Sequence, residues 1–225
     1  MMTTTYPQPI CPNDFALKVD TRLRLHNILE GITPVPANGV CGIILYGLYG
    51  SGKTAMSKLL PGWIETTKTT QVTDVGIVTD VNAAIFGYNF CHIGNNSTAL
   101  LSKIQYSCGF VPYNSSNLHY VILDEVDNLT PAALSSLKAI MNFNHVVFIM
   151  TSNHLNKIDA GIINRSIVLD MNAAPTDVWV SKIQTDLATI GVNSMSDSAI
   201  QGIVNAGKGS CRTILTDISA VIARK

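Results

Sequence analysis

Short apolar runs alternate with stretches of helical spacing up to about residue 170, and beyond that point only helical spacing remains. The run Cys41-Gly42-Ile43-Ile44-Leu45-Tyr46 reads as a buried strand. Ala55, Met56, Leu59 and Leu60 follow with helical periodicity, and Pro61-Gly62 is expected to stop that helix. Residues 88–93 read as a second core strand, 119–123 as a third, 145–150 as a fourth and 166–169 as a fifth. Between them, helices are expected over 20–30, over 98–107 with Ser97 as cap, and from Pro131 to about 142. Thr130 at the N-cap and Pro131 at the first helical position mark the start of the last of these. Residues 62–80 are Thr-rich and give no clear assignment, and residues 1–12 carry three prolines and read as an extended arm.

Strands that are apolar throughout and alternate with helices predict an α/β fold with a five-stranded parallel sheet covered by helices on both faces. Asn172-Ala173-Ala174-Pro175 breaks the rhythm. Three helices follow: one carrying Trp179, Ile183, Leu187 and Ile190 and ended by Gly191, one capped by Ser196, and one carrying Ile214, Leu215, Ile218, Val221 and Ile222. The expected organisation is an α/β domain over 1–171 and a small three-helix domain over 172–225.

Composition narrows the class. Apolar residues make up 47% of the 225, enough for a substantial core, while charged residues are 13%, about half the usual share. Lys+Arg and Asp+Glu are both 15, so no bulk positive field draws the chain to polyanions. The five cysteines, Cys11, Cys41, Cys91, Cys108 and Cys211, form no C-x-x-C pair, which argues against a zinc ribbon and fits a reducing compartment. Cys41 and Cys91 fall in expected buried strands. The N-terminus lacks the basic and apolar regions of a signal peptide, and no run reaches the roughly 18 apolar residues of a membrane span. A cytoplasmic location without membrane association is expected.

The chemistry concentrates in Gly47-Leu48-Tyr49-Gly50-Ser51-Gly52-Lys53-Thr54, which matches the P-loop pattern G-x-x-x-x-G-K-[ST] between a strand and a helix. Glycines let backbone N–H groups turn toward a phosphate chain, and the following helix start adds its positive dipole end. Lys53 would reach the β/γ-phosphates of ATP, and Thr54 would ligate Mg2+. The third strand ends in Asp124-Glu125, as a Walker B segment does. Asp124 would hold Mg2+ and Glu125 would accept a proton from the attacking water; the bland alternative is a solvated acidic loop. Asn153 follows the fourth strand and could align that water, or serve only as a turn residue. Arg165, before the fifth strand, could stabilise charge on a transferring phosphoryl group or lie in a surface salt bridge, and Arg212, opening the last helix, could reach the nucleotide from the lid side or be a helix-end arginine without function. The residues alone leave both open.

With these motifs in place the chain resembles AAA+ ATPases, and among them the small subunits of replication factor C type clamp loaders. Asp124-Glu125-Val126-Asp127-Asn128-Leu129-Thr130 is similar to the clamp-loader run D-E-x-D-x-L-[TS]. Asn153 falls at the first sensor position. Asn156-Lys157-Ile158 followed by Ile163-Asn164-Arg165-Ser166 resembles the "NKI…SRC" stretch that carries an arginine finger, with the cysteine absent. Gly209-Ser210-Cys211-Arg212 resembles the "GDxR" second sensor, and Asn13-Asp14-Phe15 the N-terminal "DDF" segment near the adenine. Asp80-Val81-Asn82-Ala83 and Asn95-Asn96-Ser97 resemble the phage version of the family. The resemblance implies a lid over the base and subunits side by side in a ring or spiral. It implies that Arg165 acts in trans on a neighbour's ATP and that Arg212 acts as a sensor in cis. It also implies primer–template DNA and a sliding clamp as partners of the assembly.

Clamp-loader subunits continue into a helical collar. Here the third lid helix is the last expected element, so the collar is expected to be missing or supplied otherwise. Few cations mark the helices that would track DNA, Lys103 and Lys138 being the best placed. The leading expectation is an ATP-hydrolysing switch of DNA replication, most like a clamp-loader ATPase subunit. The alternatives are another AAA+ role, such as helicase loading, DNA remodelling or packaging, and a nucleotide-locked structural subunit.

Overall fold

A computed structural model describes residues 6–68, 86–112, 114, 116–192 and 195–223. Asp80–Ala83, part of the phage-like resemblance, lies outside the described residues. Five parallel strands, β1 (Gly42–Tyr46), β2 (Phe86–Phe90), β3 (His119–Asp124), β4 (Val146–Ser152) and β5 (Ser166–Asp170), form one sheet in the order β2-β3-β4-β1-β5. The helices are α1 (Val19–Leu29), α2 (Lys53–Lys68), α3 (Thr98–Ser107), α4 (Pro131–Ile140), α5 (Ala160–Asn164), α6 (Thr176–Thr189), α7 (Asp197–Ala206) and α8 (Cys211–Ile222).

Two compact units result. One holds the chain from Leu23 to Tyr46 and from Lys53 to Asp170; the other holds the chain up to Arg22, the loop Gly47–Gly52 and the chain from Met171 onward. In the first, side chains alternate across the sheet with the period of two that a pleated strand imposes. Ile44, Val121, Leu123, Phe148 and Met150 join one core with Leu101 of α3, Leu137 of α4 and Ile162 of α5. Their neighbours Ile43, Leu45, Tyr120, Ile122, Val147 and Ile149 are equally buried. Tyr120 reaches Glu65 of α2, so this second face is the α2 face. In the other unit, α6, α7 and α8 close a separate lid-like core around Trp179, Ile183, Leu187, Ile200, Ile214 and Ile218.

Two expectations fail for tertiary reasons. Pro61-Gly62 does not stop α2, which runs on to Lys68. A proline inside a helix costs about 3 kcal/mol. Burial of Trp63 and Ile64 beyond it offsets that cost. So does Glu65, which is 4% exposed and accepts from Ser116 Oγ at 2.6 Å, Ser116 N at 3.0 Å and Tyr120 Oη at 2.9 Å. The second strand is not a core strand either. β2 is the sheet edge, ends at Phe90 rather than Ile93, and leaves Tyr88 39% and Phe90 42% exposed. Cys41 and Cys91 are buried as expected but flank β1 and β2 instead of lying within them. The caps expected at Thr130 and Ser196 accept from Ala133 and Ala199 N–H, whereas Ser97 precedes α3 without a side-chain cap bond; Ser210, which carried no such expectation, caps α8 by accepting from Thr213 N–H.

Candidate functional site

Because every strand is parallel, β1, β3 and β4 all end at one edge of the sheet, where ligands of open α/β sheets bind. Asp124 closes β3 and is only 3% exposed. A carboxylate so placed needs partners, and its side chain has three hydroxyls from three elements. Thr54 Oγ1, on the first turn of α2, lies 3.0 Å from Oδ1 and 3.1 Å from Oδ2. Thr151 Oγ1, on β4, donates to Oδ1 at 2.5 Å. Tyr88 Oη, on β2, donates to Oδ2 at 2.6 Å. All three donors are neutral, so they orient the carboxylate without cancelling its charge.

That arrangement fits a magnesium ion. Oxygen ligands of Mg2+ stand at about 2.0–2.1 Å, and neighbouring ones in an octahedron are therefore about 3 Å apart. Thr54 and Asp124 present two hard oxygens at 3.0 Å.

Glu125 adopts φ +59°, the left-handed region that non-glycine residues rarely occupy. The turn is fixed on both sides. Its N–H donates to Thr151 Oγ1 at 2.9 Å, and its Oε2 accepts from Asn128 Nδ2 at 3.0 Å. Thr151 therefore ties the two acids together, accepting from one and donating to the other. Asn153 leaves the end of β4 with its Oδ1 buried and lacking a hydrogen-bond partner. Lys53 opens α2 and is 8% exposed.

Within the other unit the loop Gly47–Gly52 is built on the chain that precedes and carries the lid helices. Leu48 N donates to Asn172 Oδ1 at 3.0 Å. A Cβ on Gly47 would stand 2.9 Å from Asn172 N, a backbone atom that cannot yield, so only glycine fits. Gly50, at φ +74°, passes so close to Ser210 that a Cβ would stand 2.6 Å from its Oγ. Its carbonyl accepts the N–H of Arg212 at 3.0 Å. Arg212 thus has its backbone on the loop and its side chain exposed. Leu48 and Tyr49 are exposed, and Ser51 is 9% exposed. Phe15 packs on Gly52, its ring 3.4 Å from where a Cβ would stand. Asp14 is spent on a local turn, accepting from Ile10 and Cys11 N–H at 2.8 Å each.

Arg165 is not brought to the acidic pair. It precedes Ser166, which is in register with Gly42 at the start of β1, so it stands at the sheet edge opposite Asp124. Its Nη1 donates to Gly161 O at 3.0 Å, and it lines a cavity of about 440 Å3 with Asn38, Asn144 and Asn164. Lys138 is already paired, with Asp159 at 3.0 Å, whereas Lys103 is exposed. Tyr88 and Thr151 carry no recognisable signal in the sequence. A threonine in an apolar strand and a tyrosine at a strand edge become visible only when the register sets them beside Asp124.

The architecture, a five-stranded parallel sheet flanked by helices with a helical lid-like subdomain, is the AAA+ ATPase fold. The fold is similar to that of RuvB, and the sequence to replication factor C small subunits. A point mutant of RuvB from Thermotoga maritima superposes with TM-score 0.65 at 13% identity, covering 96% of this chain and 67% of that one. A structure described as the RuvB Holliday junction branch migration motor of the same organism gives 0.64 at 13% identity, covering 95% and 64%. In sequence, the replication factor C small subunit 2 of Pyrobaculum islandicum is 24% identical over 189 residues, 80% of this chain and 53% of that protein. Small subunit 1 of Pyrobaculum aerophilum is 24% identical over 197 residues, 84% of this chain and 54% of that protein. The chain spans about half the length of these curated relatives. No family model matches. No helix among the described residues is long and apolar enough to cross a membrane.

Proposed function

We propose that this chain is an ATP-hydrolysing AAA+ module that works in an oligomer on DNA. The observation that carries the reading is the meeting of Thr54 Oγ1 and Asp124 at 3.0 Å, across 70 residues of sequence. The backbone of 47–54 and Lys53 receive the triphosphate, Thr54 and Asp124 hold Mg2+, and Glu125 takes the proton of the attacking water. The ion, when bound, supplies charge neutralisation to the β- and γ-phosphates. Asn153 Oδ1, a buried acceptor without a donor, suits a water held for attack; leaving such an atom unsatisfied costs about 1–3 kcal/mol. Arg212, anchored by its N–H on Gly50, acts as the sensor in cis. Arg165 stands at the far edge of its own sheet, which supports action on a neighbouring subunit's ATP rather than its own.

Between tasks, the broader AAA+ role in remodelling or loading on DNA is favoured, because the superpositions quoted are with a branch-migration motor. Clamp loading is the second reading, favoured by the replication factor C relatives in sequence. Phosphate release from Mg·ATP, alone, with primer–template DNA and with a four-way junction, tests the function and its DNA stimulus. A pull-down against the source's sliding clamp and helicase separates the two tasks. Calorimetry without heat on adding Mg·ATP would end the reading.

A further inference from the structure

Tyr88 is an edge-strand residue, 39% exposed. Its hydroxyl nevertheless donates to Asp124 Oδ2 at 2.6 Å, and Lys58 Nζ lies 4.5 Å from its ring centroid. Lys58 is four residues after Thr54, one turn further along the same face of α2. The cation thus clamps the ring from the helix that also supplies Thr54. Around the carboxylate the three donors divide the work. Thr151 holds Oδ1 from β4, Tyr88 holds Oδ2 from β2, and Thr54 sits almost evenly between the two oxygens. The two outer hydroxyls fix the rotation of the carboxylate about its Cβ–Cγ bond, and the Thr54 side is left as the direction in which the oxygens face.

We propose that Tyr88 is a positioning residue for the metal, holding Asp124 so that its oxygens and Thr54 Oγ1 form a preset edge for Mg2+. This rests on the proposed nucleotide site. Without the Tyr88 hydroxyl the carboxylate keeps its bond from Thr151 but loses one charge-assisted hydrogen bond and the restraint on Oδ2, so part of its ordering falls to the ion. The hydroxyl's bond goes to the carboxylate and not to the phosphate loop, so the loop keeps its own contacts when the oxygen is removed.

The test is a Mg2+ titration of fluorescent ATP-analogue binding to the full chain, wild type against Y88F. Y88F keeps the ring under Lys58 and removes only the oxygen. The half-saturating Mg2+ concentration is expected to rise about tenfold, the scale of one hydrogen bond to a charged group. Analogue binding in EDTA is expected to stay within about twofold. Lys58→Ala, which frees the ring while keeping the hydroxyl, is expected to produce a smaller rise in the same direction. An unchanged Mg2+ dependence in Y88F overturns the proposal. So does a fall in the Y88F melting temperature, without nucleotide or metal, large enough to account for the weaker binding. A wild-type protein that binds no analogue at any Mg2+ concentration removes the nucleotide site itself, a different and distinguishable failure.

Discussion

The N–H of Arg212 donates to the carbonyl oxygen of Gly50 at 3.0 Å. A residue of the lid's last helix is thereby fixed on the turn of the proposed phosphate loop, and no side chain takes part in the bond. Substituting Arg212 would leave this contact in place, so the side chain's contribution can be measured by itself. Arg212→Ala is expected to keep the melting temperature within a few degrees while lowering phosphate release at saturating ATP by tenfold or more. A loss of stability instead would make Arg212 a packing residue.

Gly50 is constrained twice, by φ +74° and by Ser210 Oγ at 2.6 Å from a would-be Cβ. The left-handed backbone alone costs a non-glycine residue about 1–2 kcal/mol. Gly50→Ala is expected to lower the free energy of unfolding by at least that amount and to weaken ATP binding. Denaturant titration and calorimetry would check both.

Thr151 is 1% exposed and its hydroxyl is shared by Asp124 and Glu125 N–H. Thr151→Val keeps the shape but strands the part-buried Glu125 N–H and weakens the hold on a buried carboxylate. The expected loss is about 2–4 kcal/mol of stability, from roughly 1–3 kcal/mol per unsatisfied group, with turnover falling in parallel. Thr151→Ser should restore most of both. Equal damage from serine would show that the methyl group, not the hydroxyl, matters.

Glu125→Gln is expected to retain ATP while nearly abolishing turnover, since the amide keeps the size and loses the base. Arg165→Ala is expected to lose hydrolysis with little change in stability, since its Nη1 bond goes to Gly161 O in the adjoining short helix. Mixing Arg165→Ala with Lys53→Ala subunits should restore part of the phosphate release, because each variant supplies what the other lacks. No recovery in mixtures would count against action between subunits.

Burial pushes the thiols of Cys41 and Cys108 up to about 11 and that of Cys91 up to about 12, from an ordinary value of about 8.5. Cys41 also donates to Met141 O at 3.0 Å. Groups with a raised folded pKa stabilise fully below their unfolded pKa. That contribution shrinks as pH rises through about 9 toward 11, where the unfolded chain ionises first. Denaturation midpoints should fall over that interval. The native protein should react slowly with iodoacetamide at mildly alkaline pH at these three positions, and denaturant should expose all five cysteines. Rapid native alkylation of Cys91 would contradict its burial.

How far the sequence reaches can be judged from particular elements. Most strand positions, the helix starts at Thr130 and Ser196, and the glycine-rich loop between β1 and α2 rest on short-range rules: side-chain periodicity, a cap three residues from its N–H, glycine at a tight turn. Such rules act within a few residues and are written in their order. The run through Pro61 was not legible, because the groups that outweigh the proline, among them Ser116 and Tyr120, come more than fifty residues later in the chain. The edge position of β2 was not legible either, since strand order is a property of the whole sheet.

The same division holds at the site. Lys53, Thr54, Asp124 and Glu125 announce themselves by local spacing, so the sequence alone singled them out as candidates. What it could not determine is which neutral groups hold them. Thr151 and Tyr88 reach Asp124 only because parallel pairing of β3 with β4 and of β2 with β3 brings three distant strand ends level. Register across a sheet is set by long-range burial of alternating side chains, and so the orientation of the carboxylate was decided by the tertiary structure.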